Sequence, residues 1–487
     1  MSEVPRKVIP IQSADAEDGD AAVQVVSLYQ KQKKIYPRAV SGWFMGWRWA
    51  LVWFTQLVFY GLPWLEWNGR QAVLFDLAAR RFYIFGLVLY PQDFIYLTTL
   101  LVISALGLFF FTAVAGRLWC GYACPQTVYT EIFMWVEQKI EGDRVARMRL
   151  DKAPWTFEKI WRKTAKQAVW IAIGLWTGFT FVGYFTPIKT LAASALSFGF
   201  GPWEWFWVLF YGFATYGNAG YMREQVCKYM CPYARFQSAM FDKDTMIITY
   251  DEQRGEPRGS RSRKADPKQL GLGDCIDCTL CVQVCPTGID IRNGLQYECI
   301  GCAACIDVCN GVMDKMGYAR GLIRYSTQNG MANRWSRAQM FRRVLRPRVL
   351  IYGAILLAIS IAFVVSIALR SPFKVDVIRD RGALARIVED GYIENVYRLQ
   401  VMNGTEAVQR YRVSVDGLPG LAVASDPQVE VGPAEARWLA VRVQLPPEAG
   451  YELQGRSSTI WFHIERLASD DEPARTVTEK STFLVPR

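Results

Sequence analysis

The chain has 487 residues and a formal charge of +11, and 51% of its residues are hydrophobic and 14% aromatic, with 18 Trp. That load of apolar and aromatic side chains is heavy for a soluble protein, and the length leaves room for one to three domains. The charge excludes little by itself, but it is unevenly placed: residues 371–487 hold 14 Lys/Arg against 17 Asp/Glu, so all the basic excess lies in the first 370. Placed around apolar stretches, such an excess is a topology and lipid-contact signal, not a nucleic-acid footprint.

Residues 1–42 are polar, mix both charge signs and have no apolar run near the start, so they read as a mostly disordered cytoplasmic tail and not as a signal peptide. Five apolar stretches follow that approach or reach the length needed to cross a hydrocarbon core about 30 Å thick. They are Trp49–Leu65, Phe94–Gly116, Ala168–Pro187, Trp205–Met222 and Val349–Leu369. The first and fourth are short and Trp-rich, as spans with aromatic ends in the interfacial belts are. Residues 138–167 carry nine Lys/Arg and 223–348 are Arg-rich, whereas the connector 188–204 has only Lys189 and Glu204. The positive-inside rule then orients the five spans with the N-terminus inside and the C-terminus outside.

All twelve cysteines fall in segments that this topology places in the cytoplasm, and 371–487 has none. Ligand thiols are expected there, not disulfides. Four form an internal repeat within 43–250: Cys120-Gly-Tyr-Ala-Cys124-Pro125 after the second span and Cys227-Lys-Tyr-Met-Cys231-Pro232 after the fourth, at an offset of 107. On a helix, residues i and i+4 share a face, so each pair could offer two thiolates to one soft ion. Cys120, Cys124, Cys227 and Cys231 together, or two of them with Met222 or Met230, would suit Cu(I). Buried thiols packing as small hydrophobes, or a reversible disulfide pair, are the alternatives.

The polar, Pro/Gly-punctuated segment 251–270 reads as a linker, and 271–325 as a ferredoxin-like domain. Cys275, Cys278, Cys281 and Cys285-Pro286 match the bacterial ferredoxin run, and Cys299, Cys302, Cys305 and Cys309 repeat it with Asn310 where proline is usual. In such pairs the fourth cysteine of each run serves the other run's cluster. One [4Fe–4S] cluster is therefore assigned to Cys275, Cys278, Cys281 and Cys309, the other to Cys299, Cys302, Cys305 and Cys285. Zinc, the rival, prefers Cys pairs separated by a longer loop over four cysteines within eleven residues. A basic return segment, 326–348, leads to the fifth helix at 349–369.

From 370 onward the pattern is short and alternating: Leu439, Val441, Val443 and Leu445 share one face, and Asn403-Gly404 predicts a hairpin between 397–402 and 411–415. An antiparallel immunoglobulin-like β sandwich outside the membrane is expected over 370–487. The chain has a single histidine, His463, read as a solvent-side strand residue; this excludes a bis-histidine b-type haem.

Ile35-Tyr36-Pro37-Arg38, the two CxxxCP motifs, the double ferredoxin run, Val312-Met313-Asp314-Lys315-Met316-Gly317-Tyr318 and Gly321-Leu322-Ile323-Arg324-Tyr325-Ser326-Thr327 together resemble the cytochrome c oxidase accessory protein family of the FixG/RdxA/CcoG type. The resemblance implies assembly of a cbb3-type haem–copper oxidase, with Cu(II) reduced to Cu(I) for delivery to oxidase subunits or copper-carrying proteins. A quinol-oxidising polyferredoxin subunit and a non-redox assembly scaffold stay open beside it. The electron donor is not identified by the sequence.

Overall fold

The computed structural model describes residues 34–487 except Lys268, Arg381, Ala383, Leu384, Glu452, 469–473 and Arg487. The expected tail therefore lies mostly outside the described residues. Tyr36–Arg487 clusters as one unit, to which everything below belongs.

Apolar runs bounded by helix-stopping residues give the long helices. They are α1 (Trp43–Gly61), α2 (Phe94–Ala115), α3 (Pro125–Glu141), α4 (Phe157–Val182), α5 (Pro202–Thr215), α6 (Ala304–Met316) and α7 (Pro347–Ala368). Proline occupies the first turn of α3, α5 and α7, where its missing N–H costs nothing. α2 with its leading turn, Pro91–Ala115, and α7 are long and apolar enough to cross a membrane. Their outward side chains, such as Leu101, Phe111, Leu357 and Ile361, are exposed. The other three expected spans do not pass that test of length and composition, and each has a visible reason. Arg48 and Gln56 are buried on α1, the first turns of α4 hold Lys159, Arg162, Lys163 and Lys166, and α5 stays α-helical for only 14 residues before a π-helical turn, Tyr216–Met222. α4 and α5 meet on glycines, since a Cβ on Gly178 would lie 2.2 Å from the Val208 carbonyl oxygen.

The helices separate two ends. At one, the loop after α1 folds into a small antiparallel sheet of β1 (Val73–Asp76), β2 (Arg81–Ile84) and β3 (Leu87–Leu89). It is tied to the α4–α5 connector: Phe75 N–H donates to the Tyr184 carbonyl, and the Gln71 side chain bridges Gly183 and Ile188. At the other end, β4 (Ile247–Tyr250) pairs with β5 (Ile323–Ser326) around the cysteine runs. The segment 251–270, expected as a linker, folds onto this module. Arg254 pairs with Asp274, Arg261 reaches Tyr318 and the Gly273 carbonyl, and Gly259 N–H donates to the Cys275 carbonyl.

The C-terminal region is a two-sheet sandwich. Its main strands are β6 (Phe373–Arg379), β7 (Ile393–Asn403), β8 (Gln409–Asp416), β9 (Ala422–Val423), β10 (Gln428–Val431), β11 (Ala436–Leu445), β12 (Ser457–Arg466) and β13 (Arg475–Leu484), and the short strand Arg386–Ile387 also pairs with β7. One sheet runs β9–β11–β7–β6 and the other β10–β8–β12–β13. Val441, Val443 and Leu445 point inward as the alternation requires. The expected Asn403-Gly404 hairpin is not formed, because β7 and β8 lie in opposite sheets. Asn403 instead spends its amide on the carbonyls of Ala407 and Gly432, holding the chain as it crosses between sheets. Gly404 passes so close to the Pro372 carbonyl that a Cβ would sit 2.7 Å from it. His463 sits on β12, half-buried, between Asp416 and Thr478 at 2.9 and 3.0 Å.

The sandwich rests on the small sheet. Leu74, Tyr83, Val88 and Tyr90 bury themselves with Met402 and Ala434, and the Tyr90 hydroxyl donates to the Asn403 carbonyl at 2.8 Å. Buried Asp93 at the head of α2 receives Lys374 at 2.6 Å and Arg370 at 3.7 Å.

Candidate functional site: two cysteine cradles and a paired thiol motif

Each cysteine run bends the backbone the same way. Asp277 and Gly301, before the second cysteine, and Thr279 and Ala303, after it, all have positive φ of 51–70°. For Asp277, Thr279 and Ala303 the left-handed conformation costs on the order of 1 kcal/mol each. It curls each loop so that three side chains of one short segment turn toward a common hollow. Gly301 also permits close approach, since its Cβ would lie 3.1 Å from the Arg117 carbonyl oxygen.

The first hollow is lined by Cys275, Cys278, Cys281 and Cys309, and the second by Cys285, Cys299, Cys302 and Cys305 with Cys281 at its edge. The fourth thiol of each run thus lines the cavity of the other run. The remaining walls are mostly apolar, with Met313 and Leu322 in the first and Ile248, Ile289 and Ile300 in the second, but Tyr250 and Arg292 also line the first and Thr287 the second. Among the described residues no group of three or more His, Cys, Asp or Glu converges on a single-ion position. The thiols surround a space, which suits a cubane and not a tetrahedral zinc, whose ligands sit about 2.3 Å from one ion.

Burial pushes these thiols up: Cys281 to about 11, Cys299 and Cys309 to about 12, and Cys305 well above its usual range. The protein alone therefore keeps them protonated, and bound iron would supply the charge that makes them thiolates. Each cradle has its own cation. Arg292, held by Asp290 at 2.7 Å, opposes the rise at Cys281, and Arg48 opposes it at Cys302. Arg48 comes from α1, donates to the Gly121 carbonyl at 3.2 Å and pairs with buried Glu131 at 2.8 Å. The Asp307 carboxylate of α6 in turn accepts from the N–H groups of Phe44 and Met45, at 3.3 and 2.8 Å, and so caps α1. Sequence reasoning missed Arg48, Glu131 and Asp307, whose partners are far apart in the chain.

The two CxxxCP motifs do not place their cysteines on one helical face. Cys124 and Cys231 are extended, at ψ 128° and 110°, and each immediately precedes a proline that opens a new helix, α3 or Pro232–Met240. Proline disfavours the α conformation in the residue before it, so the helix carrying the first cysteine ends inside the motif. The second cysteine becomes a helix N-cap, and the backbone N–H groups of Gln126 and Thr127 partly offset the burial that raises Cys124.

The two pairs nevertheless lie near one another, although among the described residues no three of their thiols converge on one ion position. Burial above all pushes Cys120 to about 12 and Cys227 to about 11, and the neighbouring thiols add to it, Cys124 and Cys227 at Cys120 and Cys124 and Cys231 at Cys227. Cys120 and Cys227 also pack against Cys302, Ile300 and Val284 of the second cradle. A Cβ on Gly121 would lie 2.9 Å from the Gly301 backbone, so the first motif touches the second cluster loop main chain to main chain. All twelve cysteines are free thiols.

Fold and site together define an iron–sulfur electron-transfer protein with a dicluster module and an Ig-like domain. A family described as "4Fe-4S dicluster domain" matches residues 222–328, one described as "4Fe-4S binding domain" matches 97–142, and the "IG-like fold at C-terminal of FixG" matches 363–486. The "Nitrogen fixation protein FixG" of Rhizobium meliloti is 38% identical, over 92% of this chain and 93% of its own. "Protein RdxB" of Cereibacter sphaeroides is 42% identical over 82% and 86%. The crystal structure of a FixG-related protein from Vibrio parahaemolyticus, 29% identical, covers 24% of this chain and 97% of its own with a TM-score of 0.21. The chain belongs to the FixG/RdxA family.

Proposed function

We propose that this protein crosses the bacterial cytoplasmic membrane five times and assists assembly of a cbb3-type haem–copper oxidase by reducing Cu(II) to Cu(I). α1, α2, α4, α5 with its π-helical turn, and α7 are the spans. The alternation of the two ends supports this: the β1–β3 sheet, the α4–α5 connector and the sandwich share one, and the cysteine-bearing segments share the other. The Lys/Arg excess puts the cysteine end in the cytoplasm.

The observation that carries the functional reading is the packing of Cys120 and Cys227 against the second cradle. Each cluster, when bound, stores and passes one electron. The CxxxCP thiols supply soft sulfur ligands, which prefer Cu(I) to Cu(II) and hold the product of a one-electron reduction beside its source. Anaerobically purified protein should contain about eight iron and eight sulfide per chain. Added Cu(II) should oxidise the reduced clusters and remain as EPR-silent Cu(I). Replacing Cys120, Cys124, Cys227 and Cys231 with serine should abolish copper retention and leave iron unchanged. Undiminished copper binding and reduction in that variant would rule out the copper role.

A further inference from the structure

Arg117 follows α2 and opens the short helix Leu118–Tyr122 that carries Cys120. It is only 6% exposed, yet among the described residues it makes no ion pair. Buried arginines elsewhere on the helices are matched, Arg48 by Glu131 at 2.8 Å and Arg147 by Glu137 at 3.0 Å. Arg117 has a neutral acceptor instead, the Ala234 carbonyl at 2.5 Å, and its Nε has no partner. A buried charge left without its opposite is strongly destabilising, so a fold that keeps one places an anion near it in the working state.

The groups placed to supply that anion are thiols. A Cβ on Gly301, in the second cluster loop, would lie 3.1 Å from the Arg117 carbonyl oxygen and 3.5 Å from the Arg117 Cβ. Cys120 follows in the next helix and packs with Cys227 against Cys302 of that same loop. On its other side Cys120 meets a neutral amide, donating to Gln237 Oε1 at 3.3 Å. The charge of Arg117 offsets part of the burial that pushes up Cys120, Cys227 and Cys299, thiols drawn from both sites. As thiols they are neutral and leave the guanidinium unmatched. As metal thiolates they carry the missing anion, since a cubane with four thiolates, and Cu(I) with two, each bear net negative charge.

We propose that Arg117 is the shared counter-ion of the second cluster and the CxxxCP thiolates, a positioning residue that raises the potential of the one and the Cu(I) affinity of the other. The copper half rests on the function proposed above, and the cluster half does not. Full-length holoprotein in nanodiscs is prepared anaerobically as wild type, Arg117→Gln and Arg117→Lys, the last keeping the charge. EPR-monitored redox titration reads both clusters, with the first as internal control, and competition with bathocuproine disulfonate reads Cu(I) affinity. Arg117→Gln should shift the second cluster's reduction equilibrium at least tenfold, about 59 mV downward for one electron, and weaken Cu(I) about as much. The first cluster should not move, and Arg117→Lys should match wild type in both readings. Arg117→Gln protein with full iron and an unmoved second potential overturns the inference, and a lowered potential with unchanged Cu(I) affinity overturns the shared role. If Arg117→Gln loses the second cluster, Arg117→Lys decides: full iron at the wild-type potential upholds the inference, and any loss or shift there reduces Arg117 to a prop for the Ala234 carbonyl. Cu(I) held equally by wild type and by the variant with serine at Cys120, Cys124, Cys227 and Cys231 counts against the copper reading, and the potential alone then decides the role of Arg117.

Discussion

Arg48 and Glu131 form an ion pair in a place that pays heavily for solitary charge. Both are buried, Arg48 on α1 and Glu131 on α3. Removing one partner strands the other, at a cost of about 3–5 kcal/mol, whereas removing both is far milder. Arg48→Gln should therefore lower stability sharply and shift the midpoint potential of the second cluster downward, because a cation beside Cys302 favours the more negative, reduced state. Arg48→Gln/Glu131→Gln should recover most of the stability but only part of the potential, since Glu131 acts on Cys302 in the opposite sense to Arg48. Denaturant titration and EPR-monitored redox titration separate the two effects, and an unchanged potential in both variants would remove Arg48 from the second cluster's surroundings. At this scale the sequence was legible wherever spacing is local. The two runs pointed to the same crossed sets of thiols that line the two hollows. Arg48, Glu131 and Asp307 were silent because their partners lie 83 and more than 260 residues away.

Among the elements, the cysteine loops and the CxxxCP motifs are held by main-chain contact, and glycine is the condition of that contact. Gly121→Ala would drive a Cβ to 2.9 Å from the Gly301 backbone, which has no flexible end to move aside. The expected outcome is loss of the second cluster's iron with the first retained, giving about four iron per chain. Full iron content would show that the loops can part without harm. Here the sequence was half legible. The 107-residue repeat and its prolines were plain, yet the same prolines break the helix that a simple i, i+4 reading assumes. Asn403-Gly404 failed for a related reason. A turn dipeptide marks where a chain reverses, and only packing decides whether the next strand joins the same sheet or the opposite one.

Across the whole molecule, stability comes from two unlike sources. The sandwich has a dense apolar core with Tyr397, Tyr411, Phe462 and Phe483 fully buried. The cluster module has a small core of which four cysteines, Cys275, Cys281, Cys305 and Cys309, are part. Stripping iron with a chelator under oxidising conditions should therefore melt the cluster end and leave the sandwich folded, seen as loss of protease resistance in 251–325 but not in 390–484. Coincident loss at both ends would mean that the metal stabilises the entire chain. The sandwich and α2 and α7 were evident from composition. The other helices were harder to place because their inward faces carry charge: Glu137 takes Arg147 and Arg223, and Glu141 takes Lys163 and Lys166. Basic residues that read as a lipid-facing signal are in part internal counter-ions.

The small sheet over residues 73–89 has its apolar partner, Met402 and Ala434, more than 300 residues downstream. At bacterial elongation rates of about 5–20 residues per second, that interval takes about 15–60 s. During synthesis the sheet must wait, already outside the membrane on the proposed topology, with Leu74, Tyr83 and Val88 uncovered. A nascent chain halted before residue 370 should be cut within 62–93 by an externally added protease, and the finished chain should not. The sandwich is thus the late-made cover for a loop exported long before it, and termination before residue 370 leaves behind a sticky fragment instead of a smaller working protein.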